Sequence, residues 1–292
     1  MCDDFTREAD DAALARGGLS RRQFAAAGAS ALVAGCAGGS AVGGGSAADL
    51  AERPVAIQTT DGMADGFFVA PAKGRHPGVI LWPDIGGLRD TYKVMARRLA
   101  GEGYAVLAVN QYYRSAPAPV LTSFAEWRTP EGRAKLEPMI RLVTPAAIVA
   151  DAKAYVAFLD SEASVNKRRG IGTQGYCMGG PFTVRTADAA PGRVRAAASF
   201  HGAAMATDAP DSPHRLLAGT RAEYLIAIAR NDDSRAPADK DTLKAAGQAA
   251  KRSAEIEVYP ADHGWCVPDS PVYDREQAER AWGRLLALYS RL

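Results

Sequence analysis

The hexapeptide Gly175-Tyr176-Cys177-Met178-Gly179-Gly180 constrains this chain more than any other stretch. It stands between a short β-rich run, Gly170 to Gln174, and an apolar helical run that begins after Pro181. Glycines two residues before and two residues after a central side chain mark a sharp strand-to-helix turn, in which larger neighbours would collide with the middle residue. A turn of that kind belongs to a parallel sheet whose helices fold back over its faces. It presents the Cys177 thiol at a helix N-terminus, where unpaired N–H groups and the helix dipole favour a thiolate and a developing oxyanion. The amide of Met178 is the natural donor to that oxyanion.

The rest of the chain carries the same architecture. From Val55 onward, short β-rich runs alternate with longer amphipathic ones, the rhythm of a parallel sheet with crossover helices. Val55 to Thr59 and Gly66 to Ala70, separated by Asp61-Gly62, predict an opening antiparallel hairpin. Pro77 to Trp82 is an unbroken apolar run of strand length, as expected for a strand buried on both faces. Further strands are expected at Tyr104 to Val109, Val194 to Phe200, Glu223 to Ala229 and Glu255 to Tyr259. Helices are expected at Arg89 to Ala100, Ala146 to Leu159, Asp239 to Arg252 and Tyr273 to Tyr289. Pro117 to Thr144, rich in proline, reads as an irregular segment that covers or borders the site. No repeat or second boundary interrupts residues 53–292, which read as one domain.

Residues 1–52 change from charged, to small and apolar, to glycine-rich, and read as a targeting segment rather than part of the fold. Arg21-Arg22 stands directly before the weakly apolar run Ala25 to Ala34, the pattern of a twin-arginine export signal. Val33-Ala34-Gly35-Cys36 resembles a bacterial lipobox, which makes Cys36 the lipidation candidate and Ala37 to Ala48 a flexible tether. The expected location is therefore the periplasm, with a membrane tether through Cys36. Net charge is +2 with both signs mixed along the chain, too weak a field to imply a nucleic-acid partner. A small molecule and a monomeric state are the expectations instead. Of the four cysteines, Cys2 and Cys36 fall in the leader, and no Cys/His cluster has the spacing of a zinc site.

Cys177 has partners in the right order. A nucleophile elbow of this type requires an acid after a later strand and a histidine after the strand beyond it. Leu225 to Ala229 runs into Arg230-Asn231-Asp232-Asp233, and Glu255 to Tyr259 runs into Pro260-Ala261-Asp262-His263-Gly264. His263 would take the thiol proton, and Asp232 or its neighbour Asp233 would orient the imidazole. Asp232, which directly follows the strand, fits better. His201 ends the strand Val194 to Phe200 and edges the same region, where it reads as a polar side chain hydrogen-bonded at a strand end.

With elbow, acid and histidine in place, residues 53–292 resemble the dienelactone hydrolase family, also called carboxymethylenebutenolidases, of the α/β-hydrolase fold. Gly175 to Gly180 is similar to that family's cysteine elbow, and Arg230 to Asp233 and His263-Gly264-Trp265 fit its acid and histidine segments. The resemblance implies a mostly parallel sheet flanked by helices on both faces, and a cofactor-free hydrolase of an ester or enol lactone working through an acyl-cysteine. It also implies roles for Leu81 to Leu88, in which the amide of Ile85 is the second oxyanion donor and Asp84, in place of the family's usual glutamate, pairs with the thiol. The family's pocket holds a substrate carboxylate with arginines. Arg114 and Trp265 are the candidate substrate-binding side chains here, with Arg128 a further cation.

Cys266 stands three residues after His263, yet no disulfide to Cys177 is expected, since the imidazole has to occupy the space beside the sulfur. The export reading predicts that replacing Arg21 and Arg22 with lysine leaves precursor in the cytoplasm on fractionation. Unchanged periplasmic delivery would refute it.

Overall fold

The computed structural model describes residues 49–292, so the arginine pair, Cys36 and the tether lie outside the described residues. An eight-stranded sheet runs through the molecule in the order β1-β2-β4-β3-β5-β6-β7-β8. Its strands are β1 (Leu50–Thr59), β2 (Gly62–Pro71), β3 (Gly78–Trp82), β4 (Ala105–Val109), β5 (Ile171–Tyr176), β6 (Val194–Phe200), β7 (Glu223–Ala229) and β8 (Ala254–Tyr259). The β1–β2 hairpin is antiparallel and joins β4 antiparallel, whereas every pairing from β4 to β8 is parallel. This is the mostly parallel sheet of the α/β-hydrolase fold that the sequence predicts.

Alternation along the strands sorts the core into two layers, because successive side chains point to opposite faces. Val79 and Leu81 of β3 pack with α1 (Asp90–Gly101) and α9 (Arg275–Tyr289), the helices of one face. Ile80 and Trp82 turn the other way, toward α4 (Pro145–Ser161), α5 (Gly180–Ala189) and Leu243 of α8 (Asp239–Ala249). All five residues of β3 and of β4 are buried, which is why these strands are unbroken apolar runs rather than alternating ones.

Among the departures from expectation, two stretches stand out in the frame around the site. Strand β1 starts at Leu50, five residues earlier than its apolar pattern, and pairs in continuous register from Leu50 opposite Pro71 to Thr59 opposite Gly62. It is an edge strand with one side open to water, so Ala51, Glu52, Arg53 and Pro54 are all exposed and carry no burial signal. The proline-rich segment is also more regular than expected, forming α2 (Phe124–Trp127) and α3 (Pro130–Leu142). Pro130 sits in the first turn of α3, where the missing N–H costs nothing, and the Thr129 hydroxyl caps the helix by accepting from Gly132 N–H. As predicted, this segment borders the elbow: Val120, Leu121, Phe124 and Trp127 form an apolar cluster with Ile85, against which Met178 packs.

The indole of Trp82 donates from Nε1 to the Thr186 hydroxyl at 3.1 Å and so ties β3 to α5, the helix that follows the elbow. Both residues are fully buried. Thr186→Val keeps the volume but orphans that N–H, and should lower stability by about 1–3 kcal/mol. Urea unfolding at unchanged m-value is the check, and a midpoint equal to wild type would contradict it.

Candidate active site

Strand β5 ends at Tyr176, and Cys177 to Gly179 make one 3₁₀ turn before α5. Cys177 has φ +52°, a left-handed conformation that a non-glycine residue holds only when its surroundings enforce it. Backbone crowding enforces it here. A Cβ on Gly175 would lie 2.0 Å from the Gly179 carbonyl oxygen, and one on Gly179 would lie 2.6 Å from the carbonyl oxygens of Trp82 and Pro83. A Cβ on Gly180 would meet the Gly202 Cα at 2.4 Å. The glycines of the motif are thus required by contact, and the thiol of Cys177 is buried beneath them at the start of α5.

Acid and histidine come from the ends of the next two parallel strands but one. Beyond the short α6 (Pro213–Leu216), Asp232 lies in α7 (Arg230–Arg235), a short helix where a turn was expected, and His263 lies in the loop after β8. His263 Nδ1 and Asp232 Oδ2 are 2.7 Å apart. Asp233 points away and is engaged by Lys240 Nζ at 2.7 Å, so the geometry distinguishes the two adjacent aspartates. Asp262 is held by Arg230. The side chain of Asn231, which the sequence did not single out, accepts the His263 backbone N–H at 2.9 Å and fixes the loop carrying the imidazole.

His201 stands against both Cys177 and His263. Its Nδ1 accepts the backbone N–H of Cys177 at 3.1 Å, and its ring centroid is 4.7 Å from that of His263. The expectation of a hydrogen-bonded polar residue at a strand end therefore holds, although its partner is the elbow itself. Trp265 backs this pair, edge-on to His201 at 5.2 Å and stacked on Tyr259 at 5.2 Å. Trp265 is wholly buried in the core, so it supports the histidines rather than offering a surface to a substrate, a correction to its candidate role.

Two further expectations are revised. Asp84 spends both carboxylate oxygens on Arg89, at 2.7 and 2.9 Å, and its Oδ1 also accepts Gly86 N–H at 2.8 Å. The carboxylate, one methylene shorter than glutamate, is thus held by its own loop, through contacts that the predicted pairing with the thiol did not include. Arg114 is bound bidentately by the buried Asp151, bonds Asp61, and lies over the Tyr113 ring. Those carboxylates saturate its fork, so it is a structural cation rather than one that awaits a substrate.

Arg89 is a second residue that sequence reasoning missed. Besides Asp84 it holds Asp269 with two bonds, at 2.7 and 2.8 Å, and so links the β3 loop to the loop after His263. Burial opposes its charge, yet Asp84 and Asp269 hold its pKa above the ordinary arginine value. Ile85, the predicted second oxyanion residue, is buried next to this clamp, and its carbonyl accepts the Tyr112 hydroxyl at 2.8 Å. That hydroxyl also lies 3.9 Å from Met178 Sδ, so Tyr112 touches both predicted oxyanion residues. No disulfide joins Cys177 and Cys266, and burial pushes the Cys266 thiol well above its ordinary pKa. Among the described residues no group of three or more His, Cys, Asp or Glu is arranged to hold a metal ion.

A family model for the dienelactone hydrolase family matches residues 64–292. The chain belongs to that family. It is accordingly a hydrolase of the ester and lactone class. A Methylorubrum extorquens protein provisionally named carboxymethylenebutenolidase is 28% identical over 259 residues, 81% of this chain and 86% of the relative. One of the same provisional name from Synechocystis is 29% identical over 246 residues, 82% and 97% of the two chains. The fold is shared with a provisionally assigned dienelactone hydrolase from Klebsiella pneumoniae, at TM-score 0.72 and 24% identity over 84% of this chain and all of that one.

The histidine pair sets a pH dependence of this dienelactone hydrolase family member. Burial first, and then the charge of His263, hold the His201 imidazole well below its ordinary value of 6.5, so it is neutral in the fold. Its unfolded counterpart takes up a proton near that value, so below about pH 6.5 the unfolded chain binds more protons and stability falls with acidification. His214 is displaced in the same direction. The urea midpoint should therefore drop between about pH 7.5 and about pH 5, and His201→Asn should flatten that drop. An identical slope in the variant would contradict this assignment.

Proposed function

We propose that the enzyme cleaves a small carboxylic ester or lactone through an acyl-cysteine, with Cys177 as nucleophile, His263 as base and Asp232 as the acid that orients it. The observation that carries this reading is the left-handed backbone of Cys177, held at φ +52° by contacts that leave no room for a Cβ on either side. A buried cysteine with only a packing role needs no such strain. The 2.7 Å contact between Asp232 and His263 Nδ1 supports the assignment of the partners, because it leaves Nε2 as the ring nitrogen for proton transfer.

The steps follow from those roles. His263 accepts the Cys177 proton, and the thiolate sulfur attacks the carbonyl carbon, whose π electrons move onto oxygen. Backbone N–H groups of Ile85 and Met178 are the donors for that oxyanion, preorganised on a loop pinned by Arg89 and on the first turn after the elbow. Collapse of the tetrahedral species expels the alkoxide, which takes the proton from His263. In a lactone that alcohol stays attached to the acyl chain. Water then loses a proton to His263, its oxygen attacks the thioester carbon, and departure of sulfur with that proton restores the thiol. Residues 1–48 extend the proposal to an exported enzyme, with Arg21-Arg22 as the signal and Cys36 as a lipid attachment point.

Cys177→Ala should fold and lose at least about a thousandfold in kcat on lactones and p-nitrophenyl esters, as when a nucleophile is removed. Cys177→Ser should also be severely impaired. Turnover by Cys177→Ala at the wild-type rate on every accepted ester would rule the mechanism out.

A further inference from the structure

The turn after β6 grips Cys177 at both of its backbone polar groups. His201 Nδ1 accepts the Cys177 N–H at 3.1 Å, and the N–H of Ala203 donates to the Cys177 carbonyl at 3.3 Å. His201 is itself anchored from the next strand, since its backbone N–H donates to Ala227 O at 2.8 Å. It has φ +40°, so two successive strand ends each carry a left-handed non-glycine residue, and the two face one another. Space between them is exhausted: a Cβ on Gly202 would stand 2.2 Å from Ser199 Oγ and 3.2 Å from the Gly180 Cα. His201 is fully buried, and the same ring that binds the Cys177 amide lies 4.7 Å from the His263 ring.

A backbone N–H can only donate, so Nδ1 of His201 is the acceptor and the ring's proton resides on Nε2. A protonated His201 would face that amide donor to donor. The imidazole is thus built into the elbow as a neutral acceptor, unlike His263, whose ring has to gain and lose a proton. Histidine both puts an acceptor at the elbow amide and fills the space against His263 and Trp265, the second of which a shorter acceptor would leave open.

We propose that His201 is a positioning residue for the thiol: its Nδ1 clamps the Cys177 amide, and thereby fixes the sulfur relative to the His263 ring that packs against it. It exchanges no proton in the reaction. The inference rests on Cys177 being the nucleophile, which the Cys177→Ala comparison tests independently.

Two variants and one spectrum test it. His201→Phe keeps a ring but removes the acceptor, while His201→Asn shortens the side chain but keeps an oxygen at the position of Nδ1 and tolerates a positive φ. On p-nitrophenyl acetate, or the best ester found for wild type, His201→Phe should lose about 10- to 100-fold in kcat with KM little changed, the penalty of a misplaced reacting atom. His201→Asn should recover kcat to within about fivefold of wild type, since the displacement is relieved when the acceptor returns. A long-range nitrogen–proton NMR spectrum of the wild-type protein at neutral pH should show His201 neutral with the proton on Nε2. Wild-type kcat in His201→Phe, a folded His201→Asn as impaired as His201→Phe, or a proton on Nδ1 would each overturn the proposal. Should His201→Phe fail to fold, the spectrum and the asparagine variant still decide it. Turnover retained by Cys177→Ala would instead defeat the nucleophile assignment and leave the tautomer result standing.

Discussion

A single guanidinium holds the two halves of the site together. Arg89 is almost wholly buried, with Asp84 on one side and Asp269 on the other, each bonded twice. Asp84 directly precedes Ile85, and Asp269 closes the loop that begins at His263, so the loop after β3 and the loop after β8 are fixed to one point. A planar fork suits that task, since it can satisfy two carboxylates in set directions where a lysine would act as a point charge. The carbonyl of Asp84 receives the Gln111 side chain, its N–H reaches the Tyr92 hydroxyl, and the Ile85 carbonyl receives Tyr112. The loop between β3 and α1 is consequently a rigid polar shelf in an otherwise apolar surrounding. Burial of so many polar groups is tolerable because nearly all are answered by another, the Gln111 Oε1 being the exception on this shelf.

Cys177 and Cys266 show how place governs thiol chemistry. Cys177 lies at the start of α5, where the helix dipole and neighbouring amides favour negative charge. Cys266 lies among Tyr176, Phe200, Ala281 and Leu285, bordering a small apolar cavity of about 170 Å³ between α1 and α9. Burial there favours the neutral thiol. Two cysteines close to one histidine loop therefore meet unlike surroundings, one at a helix N-terminus and the other among apolar side chains.

Much of this was legible in the sequence, for identifiable reasons. Strands β6 and β7 have the expected limits because strands largely buried on both faces are dominated by apolar and small residues, with Arg195 and Glu223 only partly buried. The elbow, the histidine and the acid region were legible because strand ends place them in fixed chain order. What escaped was set by partners remote in sequence. Arg89 and Asp269 are separated by 180 positions and neither stands in a local pattern. Arg114 looked like a site residue from its neighbours, but the fold brings it the buried Asp151. Asp232 and Asp233 were distinguished by Lys240, one helix further on. The early start of β1 was hidden because an open edge strand needs no apolar pattern, only a backbone to pair with.

The close fit of the elbow glycines also bears on how such a site changes over time. Gly175, Gly179 and Gly180 each abut backbone atoms at distances that exclude one more carbon. Inheritance can therefore vary this turn at Tyr176, Cys177 and Met178 and almost nowhere else. One of those positions carries the thiol, one faces the core and one packs against the segment that borders the site. The architecture freezes its own scaffold while leaving the central side chain and its surroundings open to exchange, so the chemistry presented by this turn can change by single substitutions within an unchanged fold.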